Sequence, residues 1–467
     1  MKKYLIILLA LQLVATAFFA QKEGYKIAVE IKNTKAKYLY LGFYVGLERL
    51  QLDSALVNAA QTSIFVGNKK LQSGMYLIFD KRDSTSFNFL VDKEQFFTLK
   101  TDKDSLYLSL SAENSLDNQL FFESIKMAER ARPQMAQMKS LIAELKDRNR
   151  TSALSIEQDL IKIADSVILA QEQLVSPYPQ TLAYAVVHAN NEFVKIPTAI
   201  SDPSARYFYA KSHYFDHLDL TDSRLIRSPY LMPNIENYFN KYASFHPDSM
   251  RIATDFVLQK AIKDSLSFRF VSTKLLNFFA KPEIILYEIG YVKIVEDYLQ
   301  KGKMSWIAGE DSIKFVRAAE GLKPALIGNI APDLRMMQRD SSEISLSEVK
   351  APYTLLIFWD PDCKVCQKTV PVLVQIYEKY QPLGLEAYSV CARRGPSFVR
   401  CWEAADADNM RWITVVDPEQ KSKFMTWYNT ANFPMVLVLN ADKKIIAKKI
   451  KTTKLDAYLQ NLFAKLK

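Results

Sequence analysis

Glycine, histidine and cysteine are all scarce in this chain, with 12, 4 and 4 copies among 467 residues. So little glycine, set against 24 tyrosines and 27 phenylalanines, excludes collagen-like, linker-like and broadly disordered classes. Four cysteines in so long a chain exclude a disulfide-stapled scaffold. The histidines stand at 188, 213, 217 and 246 and leave little room for histidine-based metal or acid–base sites. With none from position 247 onward, a Cys–His hydrolase is disfavoured. Beyond the first twenty residues the chain also lacks an uninterrupted apolar run of the ~18 residues that a membrane-spanning helix needs. What remains is a chain that is 49% hydrophobic and 24% charged, enough core for two to four domains at roughly 100–200 residues each.

The formal charge of +10 invites a nucleic-acid reading, and the amino terminus argues against it. Met1-Lys2-Lys3 is a short basic start, and Tyr4 to Ala20 is apolar except for Gln12. Small residues close the run and polar Gln21-Lys22-Glu23 follows, the pattern of a secretory signal peptide over 1–20, cleaved between 17 and 20. No cysteine lies near that junction, so a lipid anchor is not expected. An exported chain, in the periplasm or cell envelope, has no nucleic-acid partner, and its lysines read as a solvated basic surface.

Periodicity divides the rest. Residues 21–112 alternate as strands at Tyr25–Ile31, Tyr38–Val45, Gly74–Phe79, Phe87–Val91 and Leu106–Leu110, which predicts a small antiparallel, β-sandwich-like domain. From 113 to 325 the apolar spacing is helical and prolines break it into separate helices, a central α-helical domain. His213 and His217 are four apart, half of a metal site at most, with Tyr214-Phe215 between them, so packing is the expected role. Asp-Ser followed by a small or apolar residue recurs, at Asp53, Asp104, Asp248 and Asp264 among others. Helix and turn capping explains such pairs; they also resemble the O-glycosylation signal of exported Bacteroidetes proteins.

The chemistry lies in residues 326–467. The apolar run Tyr353–Trp359 reads as a buried strand. It ends at Asp360-Pro-Asp-Cys363-Lys-Val-Cys366, and the apolar residues beyond, at 370, 373, 376, 377 and 380, keep helical spacing. Cys363 therefore opens a helix and Cys366 lies one turn inside it. Free backbone N–H groups and the positive end of the helix dipole favour a thiolate there, and two cysteines three apart can close a small disulfide. Lys364 should help the thiolate and Asp362 oppose it. Downstream, strands at Leu385–Val390, Trp412–Val416, Phe433–Leu439 and Ile445–Ile450 alternate with helices at 397–405, 420–428 and from 454.

Strand, CxxC, helix, and later a proline opening a strand followed by a hairpin and a last helix: this order resembles the thioredoxin fold, an α/β domain. With Gly328-Asn-Ile-Ala-Pro-Asp333 leading in, it is similar to the extracytoplasmic TlpA/ResA-like thiol–disulfide oxidoreductases. The whole layout resembles multidomain Bacteroidetes members with a β domain and a helical domain in front. The resemblance implies Cys363 as nucleophile, Cys366 as resolving thiol and Pro434 as the cis-proline facing them, with Trp359 and Phe433 completing a substrate-binding surface. It implies no cofactor and no metal, cysteine-containing extracytoplasmic proteins as partners, and a membrane thiol electron donor behind a reductase. The chain departs from the family at Asp362 (usually Trp), at Lys364-Val365 between the cysteines, and at Thr369 (usually acidic), which leaves redox direction open. The alternatives are a redox-inactive binding or assembly protein of the cell envelope, and a zinc site using Cys363, Cys366, Cys391 and Cys401. Cys391 and Cys401 are read either as a disulfide or as buried thiols.

Overall fold

The computed structural model describes residues 23–82, 85–191, 196–243, 246–281, 284–430 and 432–464; the expected signal peptide over 1–20 lies outside them. Strand pleat explains the first elements. In Tyr25–Lys32 (β1), Tyr25, Ile27, Val29 and Ile31 are buried on one face while Lys26 and Lys32 face out. Tyr38–Val45 (β2), Glu48–Leu56 (β3), Thr62–Gly67 (β4), Gly74–Phe79 (β5), Ser86–Val91 (β6), Phe96–Asp102 (β7) and Ser111–Glu113 (β8) follow. They make two four-stranded sheets, ordered β4-β1-β7-β8 and β3-β2-β5-β6. One pair, β1 with β7, is parallel, a departure from the purely antiparallel expectation. The connection between these two strands passes through the other sheet and returns in the same direction, as a parallel pair requires. Leu106–Leu110, expected as a strand, is a turn. Thr101 Oγ1 donates to Leu106 O, Ser109 Oγ donates to Ser105 O, and Ser109 Oγ accepts from Asp102 N, so local side-chain bonds replace a ladder.

Long amphipathic helices come next. Leu116–Leu145 (α1) and Arg150–Val175 (α2) are capped by Ser115 and Asn149, which accept from the N–H groups of Asn118 and Ser152. Asn118 also bonds both backbone groups of Leu90, at 2.7 and 2.8 Å, tying α1 to β6. Then come Leu182–Asn190 (α3), Pro203–Ser212 (α4), Leu231–Tyr242 (α5), Pro247–Ala261 (α6), Ser265–Phe279 (α7), Tyr287–Ile294 (α8) and Gly309–Leu322 (α9). Because α4 ends at Ser212, His213 caps it and meets Asp216 at 2.6 Å, while His217 meets Asn234 at 3.3 Å; the two histidines do not share a helix face. Of the Asp-Ser pairs, Asp264 is a true cap, accepting from Ser267 N. No helix among the described residues is long and apolar enough to cross a membrane.

Two compact units result: residues up to Tyr238 with Lys260–Phe270, and Phe239–Gln259 with Val271–Lys467. The helical segment contributes to both. The second unit carries a seven-stranded sheet of Arg335–Met337 (β9), Glu343–Ser345 (β10), Tyr353–Trp359 (β11), Leu385–Cys391 (β12), Ile413–Val416 (β13), Met435–Asn440 (β14) and Ile445–Lys448 (β15), ordered β10-β9-β13-β12-β11-β14-β15. Central β11 runs parallel to β12 and antiparallel to β14. Its side chains alternate between two cores. Leu355, Ile357 and Trp359 pack with Lys364–Tyr380 (α10) and Thr452–Ala464 (α13), whereas Leu356 and Phe358 pack with Phe424–Trp427 (α12). Val399–Ala407 (α11) joins the first core through Cys401. The helix expected over 420–428 shrinks to the four residues of α12, because Asp417 accepts from Lys421 N and Ser422 N and holds the preceding segment as a loop.

Helices and sheet of this unit are joined by a buried charge. Lys448 Nζ, fully buried, meets Glu288 of α8 at 2.9 Å, and the other Glu288 oxygen meets Lys449 at 3.0 Å. Burial pulls the Lys448 pKa down and Glu288 partly offsets this. Removing one partner of such a pair strands the other charge. Glu288→Gln is therefore expected to cost about 3 kcal/mol, whereas Glu288→Leu/Lys448→Met should be much closer to neutral. All five tryptophans lie in this unit, so tryptophan fluorescence during urea unfolding measures the difference.

Candidate active site

The geometry begins where β11 ends. Its last residue, Trp359, is followed by a tight turn in which Cys363 N donates to Asp360 O at 3.1 Å, and α10 starts at Lys364 with Cys363 as its N-cap. The first-turn N–H groups have no carbonyl four residues behind them, and those of Val365 and Cys366 face the Cys363 sulfur. Cys363 is half-buried and Cys366 is 1% exposed, enclosed by the core beneath the helix.

This asymmetry separates the thiols. Burial acts most strongly on Cys363 and against its ionisation, but hydrogen bonds from Cys366 N–H, the Cys366 thiol and Val365 N–H outweigh it, so its pKa lies below the ordinary thiol value; Asp360 opposes them. Burial pushes Cys366 up to about 12; a hydrogen bond with the Asp360 backbone pulls the other way, while Cys363 and the Asp360 charge add to the rise. Of the two sulfurs, Cys363 is the more readily ionised and Cys366 is held as a thiol.

The expected facing loop is in place. The Phe433–Pro434 peptide is cis, and Cys363 Sγ donates to Phe433 O at 3.4 Å. Phe433 and Pro434 are half-buried beside the sulfur. Trp359 is not part of that surface. It is 1% exposed and packed among Cys366, Cys391 and the α10 face, because its position in β11 turns it toward the core. Its Nε1 has no hydrogen-bond partner among the described residues.

Two arginines that sequence spacing did not single out flank the turn. Arg393 Nη2 meets Asp360 Oδ1 at 2.6 Å and also pairs with Asp362. Arg400 grips Asp362 with both Nη atoms, each at 2.6 Å. Asp360 is the carboxylate that acts on Cys363, while Asp362 is held by two cations. The visible signal was the Asp-Pro-Asp run; its partners lie more than thirty residues downstream, beyond the reach of local pattern. Cys391 and Cys401 form a disulfide, Cα–Cα 6.1 Å, both buried. That resolves the open pairing and removes these two sulfurs from any zinc site.

Comparisons with known proteins agree with this architecture. Residues 327–454 match the model of the AhpC/TSA family, and residues 151–319 match a domain of unknown function, DUF5106. The thiol–disulfide oxidoreductase ResA of Bacillus cereus is 26% identical over 139 residues, 29% of this chain and 78% of that protein. ResA of Bacillus subtilis is 22% identical over 119 residues, 26% of this chain and 64% of its own. Among solved structures, a thioredoxin-like protein from Bacteroides caccae aligns over 57% of this chain and 97% of its own at 18% identity, TM-score 0.46. A domain of a possible thiol–disulfide isomerase from Cytophaga hutchinsonii aligns over 31% and 97% at 30% identity, TM-score 0.29. Residues 327–454 are thus similar to the AhpC/TSA family and, within it, to ResA-type thiol–disulfide oxidoreductases.

Proposed function

We propose that this chain is an exported thiol–disulfide oxidoreductase that reduces disulfides in cysteine-containing proteins of the periplasm or cell envelope. The observation that carries the reading is the pairing of a half-exposed Cys363 at the start of α10, 3.4 Å from the carbonyl before cis-Pro434, with a buried Cys366 one turn inside. Cys363 is the nucleophile, Cys366 the resolving thiol, and Phe433 and Pro434 the substrate-facing backbone.

The chemistry follows from the two thiol environments. Cys363 thiolate attacks one sulfur of a substrate disulfide, the substrate S–S bond breaks, and one substrate thiolate leaves and takes up a proton. Cys366 then gives up its proton and attacks Cys363 Sγ, releasing the second substrate thiol. Two electrons pass to the substrate and a Cys363–Cys366 disulfide remains, to be reduced by an external dithiol, for which a membrane thiol donor is the fitting class.

Cys363→Ser is expected to lower insulin-disulfide reduction to background, while Cys366→Ser accumulates mixed disulfides visible on non-reducing gels; full turnover by Cys363→Ser would overturn the assignment. A Cys363/Cys366 potential near ~−270 mV fits a reductase, and one near ~−120 mV would mean an oxidase.

The pH profile is a separate expectation. As pH falls through the lowered Cys363 pKa the thiolate protonates, so iodoacetamide labelling of Cys363 should fall tenfold per pH unit there and level off above it. Cys366 should stay unlabelled until pH approaches about 12. Trypsin cuts after Lys364 and puts the two cysteines on different peptides, so mass spectrometry reads each rate.

A further inference from the structure

The turn that presents Cys363 has two carboxylates, and both are tied to one small loop. Arg393 stands two residues after Cys391, Arg400 one residue before Cys401, and the buried disulfide closes the loop between them. Arg393 is half-buried, its Nη2 holding Asp360 and Asp362 while its Nε has no partner among the described residues. An arginine half out of water with an unused donor is not placed there for its own stability. Arg400 closes the chain by a two-pronged grip on Asp362, the geometry that best fixes a guanidinium on a carboxylate.

We propose that Arg393 and Arg400, held in place by the Cys391–Cys401 disulfide, are positioning residues that neutralise Asp360 and Asp362 and so keep the nucleophilic Cys363 reactive. The proposal deepens the oxidoreductase reading and rests on Cys363 being its nucleophile. The charged and titratable groups around that sulfur fit it. Asp360, Asp362 and Lys364 come from its own segment, Cys366 from α10, and Arg393 and Arg400 from the disulfide-closed loop and α11. The cis-proline loop from Thr430 to Pro434 carries no ionisable side chain. Asp360 disfavours the Cys363 thiolate by like-charge repulsion, and Asp362 adds a second negative charge to the same turn; two guanidiniums paired with these carboxylates cancel that charge without touching the sulfur. The disulfide itself, buried at both sulfurs, is a brace rather than a second exchange site.

Selective iodoacetamide labelling of Cys363 on the full chain, read as rate against pH, tests this without any redox partner. Arg393→Gln and Arg400→Gln should each label roughly three- to tenfold more slowly at pH 7. Asp362→Asn should label faster than wild type. Arg400→Gln/Asp362→Asn should return to the wild-type rate or above, because the charge that needed cancelling is gone, and Arg400→Lys should recover part of the loss. Cys391→Ala/Cys401→Ala should slow labelling in the same direction, and less so with Asp362→Asn present. Should that pair of changes prevent folding, the arginine variants carry the test, with near-ultraviolet circular dichroism checking their fold. Unchanged pH profiles in both natively folded arginine variants, or a double variant as slow as Arg400→Gln alone, would overturn the proposal. Absence of insulin reduction by wild type with these labelling shifts intact would overturn the oxidoreductase reading and leave the charge network standing.

Discussion

Everything chemical in this protein depends on one junction, where the central strand β11 stops and α10 begins. A parallel-type strand buried on both faces fixes the backbone of Tyr353–Trp359, and the turn at Asp360–Cys363 then aims the helix so that its free N–H groups converge on a single sulfur. Were the strand exposed on one face, the turn could shift and the sulfur would lose its donors. Here Leu355, Ile357 and Trp359 are locked under α10 and α13, and Leu356 and Phe358 under the opposite layer. The reactive atom sits at the end of the most constrained segment of the domain, which is where preorganisation is cheapest to maintain.

The same junction makes the two thiols unequal. Three residues along a helix is just under one turn, so a cysteine at the N-cap and one at the third helical position are neighbours in space with different surroundings. Cys363 looks out toward Phe433 and Pro434, while Cys366 looks into the core. The order of events proposed above follows from that difference: an exposed sulfur would meet a partner protein first, and a buried one can reach only the sulfur beside it. Trp359, which sequence order put beside the active cysteine, supports the site from below instead.

Around the junction the second unit distributes charge in a consistent way. Carboxylates near the thiols are each met by a guanidinium, and the fully buried ammonium of Lys448 is met by Glu288 from the helices that precede the sheet. The first pairing bears on the proposed reactivity of a thiol, and the second holds α8 to the sheet of the second unit. Both cost desolvation, and both survive because every charge taken from water has a partner within hydrogen-bond reach.

Much of this was legible in order and spacing. The limits of β2, β5 and β11 coincide with the expected runs, because dense β-branched and aromatic residues between polar turns have few other ways to be buried. The CxxC at a helix start and the proline opening a strand located the thiols and the facing loop. Less visible were β3, whose leucines are largely exposed, and the turn at 106–110, where serine and threonine side chains took the bonds a strand would have used. The sequence by itself determined many of the strands and helices and that the Cys363/Cys366 pair opens a helix, since those depend on neighbours within a few residues. Only the tertiary structure decided that Cys391 pairs with Cys401, that Trp359 is core, and that Arg393 and Arg400 close on Asp360 and Asp362. Those outcomes join residues ten to forty positions apart, and chain folding, not local pattern, sets the distance between them.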